Sequence, residues 1–471
     1  MATSSVGSWD TIIVGAGTAG CIVAERLSRD PSRRVLLLEA GSADGPTPPD
    51  LFAALDVPGR LWPGLTARRT PAGVPRSYLR GRGVGGSGSV NGLIALDPPL
   101  SDLTLWRKLG LNLEVLRPPS ISPHYVPLAD WGPADRLLAL TARASGLPLV
   151  RRAHVDTPGV GPAPLHLNAL GRRASTDITH LAAARQRPNL DVRTSVPVET
   201  IAIERGRVVG VMGRTTEGTT TSFDAATVVV CAGALHSPTL LLRSGLVRAG
   251  IGRNLRDHPA VGVSLALRQP ADESVPATCV VAHTVDRIQL LALNRLGTTP
   301  ELRRHGALMA AVLTPMSTGT VTLQDDGSPE VTFDLLGDAH DRNAIVRATR
   351  LLLQLTSSVE AMTYATAAFI DDHGTPVAAL ADATDAELLG WAEENLADYV
   401  HATGTCRFGA VDDPDAVVGP AGAVHGVSGL HVIDASVFPT SPGANPWQAT
   451  VLLADALAQE LVTGRDATPA T

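Results

Sequence analysis

Aromatic residues are scarce, 3% of 471, and cysteine occurs only four times, at Cys21, Cys231, Cys279 and Cys406. Cysteines this far apart offer neither a disulfide framework nor the close pairs of a zinc site. No uninterrupted apolar run reaches eighteen residues, so no segment has the pattern of a membrane-spanning helix. The first nine residues lack the basic and apolar regions of a secretory signal. Lysine and arginine total 39 against 46 acidic residues, which argues against a nucleic-acid surface. What remains, 44% hydrophobic and 18% charged, is a globular composition long enough for two domains. The expected location is cytoplasmic.

The N-terminal part carries a nucleotide pattern. A short buried strand, Trp9 to Val14, runs into Gly15-Ala16-Gly17-Thr18-Ala19-Gly20, and Ala19, Val23 and Leu27 then recur at helical spacing. A second β run, Arg34 to Leu38, ends in Glu39. Gly15 permits the tight turn, Gly17 lets backbone approach a pyrophosphate, and Gly20 lets helix and strand pack closely. The helix N-terminus faces the phosphates, and Glu39, nineteen positions beyond Gly20, can accept from ribose hydroxyls. Strand, glycines, helix and acid together predict dinucleotide binding.

Further along, Arg80 to Gly92 holds six glycines in thirteen residues, suited to a backbone lying directly on a ligand with its amides exposed. A later strand, Ala226 to Cys231, meets the small residues Ala232 and Gly233, and a helix is expected over Thr239 to Ser244. Strands at Leu190 to Arg193, Val196 to Glu204 and Arg207 to Met212 make the nucleotide domain discontinuous, with Val198 a candidate neighbour of adenine. Between these parts, Pro133 to Ser145 reads as a helix. From Val261 onward, short alternating runs (Val261 to Leu267, Arg287 to Asn294, Ala307 to Leu313, Gly319 to Leu323) predict a largely antiparallel sheet. Helices follow at Asp341 to Val359 and Thr384 to Val400, the second opened by a Thr384/Glu387 capping box.

The candidate chemistry lies late in the chain. His401 heads a Thr/Gly/Cys loop with few groups that would make a histidine structurally necessary, and its proton affinity suits base chemistry near neutrality. Space filling is the competing account. Asp434 ends a strand and either caps the final helix or bonds a ribityl hydroxyl. Asn445-Pro446 opens the helix Trp447 to Leu461; capping alone accounts for Asn445, and only pairing with His401 makes it catalytic. His258 reads as a structural hinge, and Cys231 and Cys406 as buried packing.

Six elements in order resemble the glucose-methanol-choline (GMC) oxidoreductases. They are Gly15 to Gly20 with Glu39, the loop Arg80 to Gly92, Cys231 to Pro238, Gly252 to Pro259, His401 to Gly409, and the stretch from Gly429 through Pro446. The resemblance implies an α/β fold, with a Rossmann-like FAD-binding domain and a discontinuous antiparallel-sheet α+β substrate domain. Its parts would be 1–110, 186–260 and 401–471 for FAD, 111–185 as cap segment, and 261–400 for substrate. FAD would be held noncovalently, because Val90 stands where some relatives tether it through a histidine. Its contacts would come from Gly15, Gly17, Gly20, Glu39, Arg82, Gly85, Gly86, Ser89, Asn91, Gly92, Val198, Ala232, Gly233, Asp434, Ala435, Pro446 and Gln448. No metal is implied.

The implied reaction passes hydride from a carbinol carbon to flavin N5, with His401 as base and Asn445 on the substrate oxygen, giving an aldehyde or ketone. O₂, a quinone or a protein would take the electrons. A dehydrogenase serving a reduced redox cofactor such as mycofactocinol, a hydroxynitrile lyase, a fatty-acid photodecarboxylase and a non-catalytic flavoprotein are the alternatives. The expected partner is a small-molecule alcohol, for a monomer or homodimer with peripheral membrane contact left open. Selectivity is expected from the middle segment and from Tyr399, Phe408 and Trp447. With so few aromatics, a cage for a quaternary ammonium is disfavoured. The chain is also short for this family, which implies a reduced cap.

Overall fold

A computed structural model describes residues 5–113, 122–215 and 218–463, so part of the expected cap segment, 114–121, lies outside the described residues. Its first sheet runs in the order Leu190–Arg193, Val35–Leu38, Ser5–Val14, Thr220–Val230, Arg207–Arg214, Val198–Glu204, with Leu430–Val432 also paired to Thr220–Val230. Val35–Leu38 is buried along its whole length. That explains its unbroken apolar run, since a parallel strand is covered on both faces. Val14 lies opposite both Leu38 and Val230, and Val432 opposite Val230. Four strand ends are therefore level, and the loops bearing Gly15, Glu39, Ala232 and Asp434 leave from one edge. Ligands of such sheets bind beyond that edge.

The second sheet is antiparallel, in the order Ala365–Phe369, Ala260–Leu267, His305–Val312, Ile288–Leu293, Val280–His283, Gly159–Pro162. Burial alternates along Ala260–Leu267, as expected where one face meets packed helices. The helices Pro133–Ala144 and Ala339–Thr356 supply that packing. The fold is thus α/β, a Rossmann-like domain joined to an antiparallel-sheet domain. No described helix is long and apolar enough to cross a membrane.

Two of the expected helices have clearly different bounds. The one expected at Thr239 begins at Gly233 and carries Pro238 inside it. Proline leaves the carbonyl four residues back without its N–H, and the Thr405 hydroxyl donates to that Ala234 oxygen at 2.6 Å instead. The helix opened by the Thr384/Glu387 box stops at Glu394, not Val400. Asn395 Nδ2 donates back to the Trp391 carbonyl, and Ala397 bridges to Ala260 as extended chain. Those extended residues carry Tyr399 and His401 into the interior. The strands Gly159–Pro162 and Val280–His283 were not signalled, because neither alternates polar with apolar residues.

Candidate active site

A cavity of about 1020 Å³ is lined from the carboxyl edge of the first sheet and from one face of the second. Gly15, Gly17, Glu39, Gly86, Asn91, Gly92, Val198, Ala232, Gly233, Asp434, Ala435 and Pro446 line it, together with His401 and Asn445. Gly20, Arg82, Gly85, Ser89 and Gln448 are not among its lining residues.

The glycines divide by what surrounds them. A Cβ on Gly20 would lie 1.8 Å from the Gly15 carbonyl oxygen, and one on Gly15 2.6 Å from the Cys231 oxygen. Both are required by the protein's own packing. A Cβ on Gly17 would meet nothing nearer than 4.0 Å, and one on Gly92 nothing within 4 Å. The chain has room for a side chain at both, so a bare backbone there serves something in the cavity.

Glu39 first ties loops together. Its Oε2 accepts from Ala16 N at 2.8 Å and its Oε1 from Gly41 N and Gly83 N at 2.8 and 2.9 Å. A carboxylate has about four acceptor positions, so capacity for a ribose hydroxyl remains. Arg82 donates to the Ala40 carbonyl at 2.9 Å and lies over Trp62. Gly85 N bonds Ala16 O at 2.8 Å, and Ser89 Oγ donates to Gly86 O at 2.7 Å, so these residues shape the loop from behind. Asp434 accepts from Gly233 N, Ser237 Oγ and Ser436 N at 2.8, 2.5 and 2.8 Å. It caps the short turn Ala435–Val437; the final helix, Pro446–Thr463, begins twelve residues after it.

Asn91 is held from three sides. Its Oδ1 accepts from Leu93 N at 3.1 Å, from Arg173 Nη1 at 2.8 Å and from His166 Nε2 at 2.8 Å. His166 in turn stacks on Trp447 at 4.0 Å. Neither His166 nor Arg173 was signalled by the sequence, for both lie in a segment without recognisable spacing. Beside them, Trp447 Nε1, His166 Nδ1 and both amide atoms of Gln448 are buried without hydrogen-bond partners. Polar atoms are rarely buried unpaired, so this wall suits a flat heteroaromatic group with a polar edge.

At the other end, His258 is no remote hinge. Its Nδ1 lies 2.9 Å from His401 Nδ1 and its Nε2 lies 2.9 Å from the Pro442 carbonyl oxygen. Ser441 Oγ is 3.2 Å from that same Nε2. A carbonyl only accepts, so the His258 proton sits on Nε2. Burial pushes the His258 pKa down to about 4, which keeps the ring neutral and its Nδ1 bare. His401 must then donate from Nδ1, leaving its Nε2 lone pair unprotonated. Among the described residues, Nε2 of His401 makes no hydrogen bond. Burial, then His258 and Arg80, hold the His401 pKa well below its usual value.

Asp257 fixes the backbone of both histidines: its Oδ1 accepts from His258 N and His401 N at 2.7 and 3.0 Å, and its Oδ2 from Tyr78 OH at 2.7 Å. Burial raises its pKa to about 7. The ligating atoms of Asp257, His258 and His401 lie within 4.8 Å of one another, spacing that a metal ion could use. Here the facing nitrogens bond each other and the carboxylate already accepts from three protein donors. Val400, a β-branched residue, has φ +56°, and Arg80 Nη1 holds its carbonyl at 2.6 Å. Such a conformation is strained and is typical of a functional position.

Asn445 belongs to a second chain of bonds. Tyr399 OH lies 2.7 Å from Gln289 Oε1, and Gln289 Nε2 lies 3.1 Å from Asn445 Oδ1 and 2.9 Å from His283 Nε2. Flipping Gln289 would orphan both the Tyr399 proton and one amide proton; the present orientation orphans only the His283 Nδ1 proton. Asn445 therefore turns its oxygen to Gln289 and its NH₂ elsewhere. The Tyr399 ring edge meets the His401 ring at 4.8 Å and so links the two chains. Phe408, expected near substrate, packs instead in the core of the first domain and does not line the cavity. All four cysteines are free and buried.

A dinucleotide edge facing a histidine and an amide across one cavity defines a nucleotide-dependent oxidoreductase. Residues 9–260 and 315–454 match the two family descriptions of GMC oxidoreductases, and the chain belongs to that family. It is 30% identical over 537 aligned positions to 5-(hydroxymethyl)furfural oxidase of Methylovorus sp. (strain MP688), covering 97% of this chain and 99% of that one. An uncharacterized GMC-type oxidoreductase of Rhodococcus erythropolis is 31% identical over 504 positions, covering 95% and 97%. Among solved structures, pyridoxine 4-oxidase from Mesorbium loti superposes with a TM-score of 0.84 at 24% identity, covering 97% and 99%. The enzyme is an FAD-dependent oxidoreductase acting on CH–OH groups, with FAD bound noncovalently.

The glycine contrast yields a prediction. Gly17→Ala should fold with an unchanged apoprotein melting temperature yet bind FAD at least tenfold more weakly, by titration of the apoprotein with FAD. Gly20→Ala should fail earlier, in the melting curve itself.

Proposed function

We propose that the protein oxidises an alcohol to an aldehyde or ketone, with His401 as the general base and Asn445 holding the reacting oxygen. The observation that carries this reading is the direction of the hydrogen bond between His258 and His401. It leaves one unprotonated nitrogen, His401 Nε2, on a residue lining the cavity. That nitrogen takes the hydroxyl proton. Asn445, its oxygen occupied by Gln289, offers N–H to the alcohol oxygen and to the negative charge gathering there. Its amide accepts no proton near neutrality, so the base role falls on His401 alone. As the O–H proton leaves, electron density on the carbinol carbon rises and the C–H bond gives up hydride more readily. Bound FAD supplies the two-electron acceptor for that hydride. The bare backbone at Gly17 and Gly92 and the unpartnered Nε1 of Trp447, all on residues lining the cavity, are the surfaces that would hold it, with Gln448 behind them.

Electrostatics support the same assignment. A histidine whose pKa is depressed stays neutral, and so competent as a base, to lower pH than a free imidazole. Flavin reduction under anaerobic stopped flow should therefore be flat from pH 9 down through about 6.5 and decline only below the ordinary imidazole value. A decline centred above that value would contradict the assignment.

Two substitutions separate the base from its support. His401→Ala should slow flavin reduction about 10²–10⁴-fold while FAD stays bound, as its visible absorbance will show. His258→Phe keeps a ring but removes the acceptor that holds the His401 proton on Nδ1. Reduction should slow at saturating alcohol with little change in apparent affinity, since the proton can then occupy Nε2. Wild-type rates in His258→Phe would show that the ring pair does not set the tautomer.

A further inference from the structure

The sheet that supports Asn445 also describes what must lie above it. Gln289 reaches Asn445, and strand residues two apart share a face, so Leu291 and Leu293 continue that face away from the reacting end. Opposite them, Leu291 pairs with Met309 and Leu293 with Ala307, while Gln289 pairs with Ala311 and Ala311 with Ala260. Directly paired residues point to the same side. Leu291, Leu293 and Met309 all line the cavity. Beyond Gln289, then, the floor is apolar for roughly 13 Å at strand spacing.

Several charged and aromatic groups around this floor are already committed. Asp398, the acid beside Tyr399, accepts from Nε and Nη2 of Arg69 at 2.7 and 2.9 Å. Arg80, which lines the cavity, donates to the Val400 carbonyl. Trp62 carries His236 stacked at 4.1 Å and the Arg82 guanidinium at 5.2 Å. Trp447 carries His166, and the Thr278 hydroxyl donates to Ala292 O at 2.8 Å. Along Leu291, Leu293 and Met309 themselves a quaternary ammonium would meet no carboxylate and no aromatic ring, and a polyol no hydrogen-bonding side chain.

We infer that the substrate is an uncharged alcohol with an apolar body, its hydroxyl between His401 and Asn445 and its body along Leu291, Leu293 and Met309. This rests on the alcohol-oxidising site above and adds the class of alcohol. It sets this chain apart from relatives named oxygen-dependent choline dehydrogenase, one of which, from Chromohalobacter salexigens, is 27% identical over 552 aligned positions.

The test uses an isosteric pair, 3,3-dimethylbutan-1-ol and choline, which differ by one carbon in place of a charged nitrogen. Binding is read from the perturbed flavin absorbance of FAD-loaded His401→Ala, and reduction from the anaerobic wild type. The neutral alcohol should bind at least tenfold more tightly than choline and reduce the wild-type flavin faster. Met309→Glu, which puts a carboxylate on the floor, should narrow or reverse that preference while FAD stays bound. Equal or tighter binding of choline, or no binding of either alcohol, overturns the class. A neutral preference in binding with no reduction of the wild type would uphold the class and remove the oxidation reading instead.

Discussion

The carbonyl of Pro442 can only accept a hydrogen bond, and that one-way character settles the proton positions of two histidines. It places the His258 proton on Nε2, which bares Nδ1, which in turn holds the His401 proton away from the cavity. The relay works only while His258 is neutral, and its complete burial provides that. A charged His258 would have two donors and would push against the donor on His401. The backbone N–H groups of both histidines end on one carboxylate oxygen of Asp257, so their spacing is fixed by a single rigid acceptor. Base strength at His401 is thus inherited from groups that face away from the cavity.

The second polar chain obeys the same rule with an amide in place of an imidazole. The Tyr399 hydroxyl needs an acceptor, and burial pushes its own pKa up, so it remains a donor. That requirement orients Gln289, and Gln289 orients Asn445. The two chains start from opposite domains and meet where the Tyr399 ring edge touches His401. Each leaves one group facing the cavity, an acceptor from the first and a donor from the second. An alcohol hydroxyl, which is both donor and acceptor, is complementary to that pair.

Local patterns were legible in the sequence wherever a ligand or a strand edge imposes a rule on consecutive residues. The glycines after Trp9–Val14, Glu39 at the next strand end, and the alternation from Val261 onward belong to this kind. So does His401, which stood out because its loop gave a histidine little structural purpose. What escaped was set by contacts across long separations. Gln289 lies 156 residues from Asn445, inside a strand whose polar residue looked like ordinary alternation. His258 lies 143 residues from His401, and its motif read as a structural hinge rather than as a partner. Phe408 was expected near substrate, yet the chain after His401, turning at Gly404 and Thr405–Cys406, carries it into the core of the first domain. Even Glu39, whose presence was legible, does more than was read, since it binds three loops before any ribose.

The early end of the Asp385–Glu394 helix bears on why the site is where it is. Had the helix continued to Val400, Tyr399 and His401 would project from a helix surface with positions tied to its rotation. Instead the chain leaves the helix at Asn395, joins the second sheet at Ala397, and turns at Val400 through a conformation that valine resists. Arg80, from the glycine-rich loop of the first domain, holds the carbonyl of that strained residue. The glycine-rich loop is therefore also bonded to the residue preceding His401. Both domains must be in register before His401 points into the cavity, and the strain at Val400 is retained because contacts from each side hold it there.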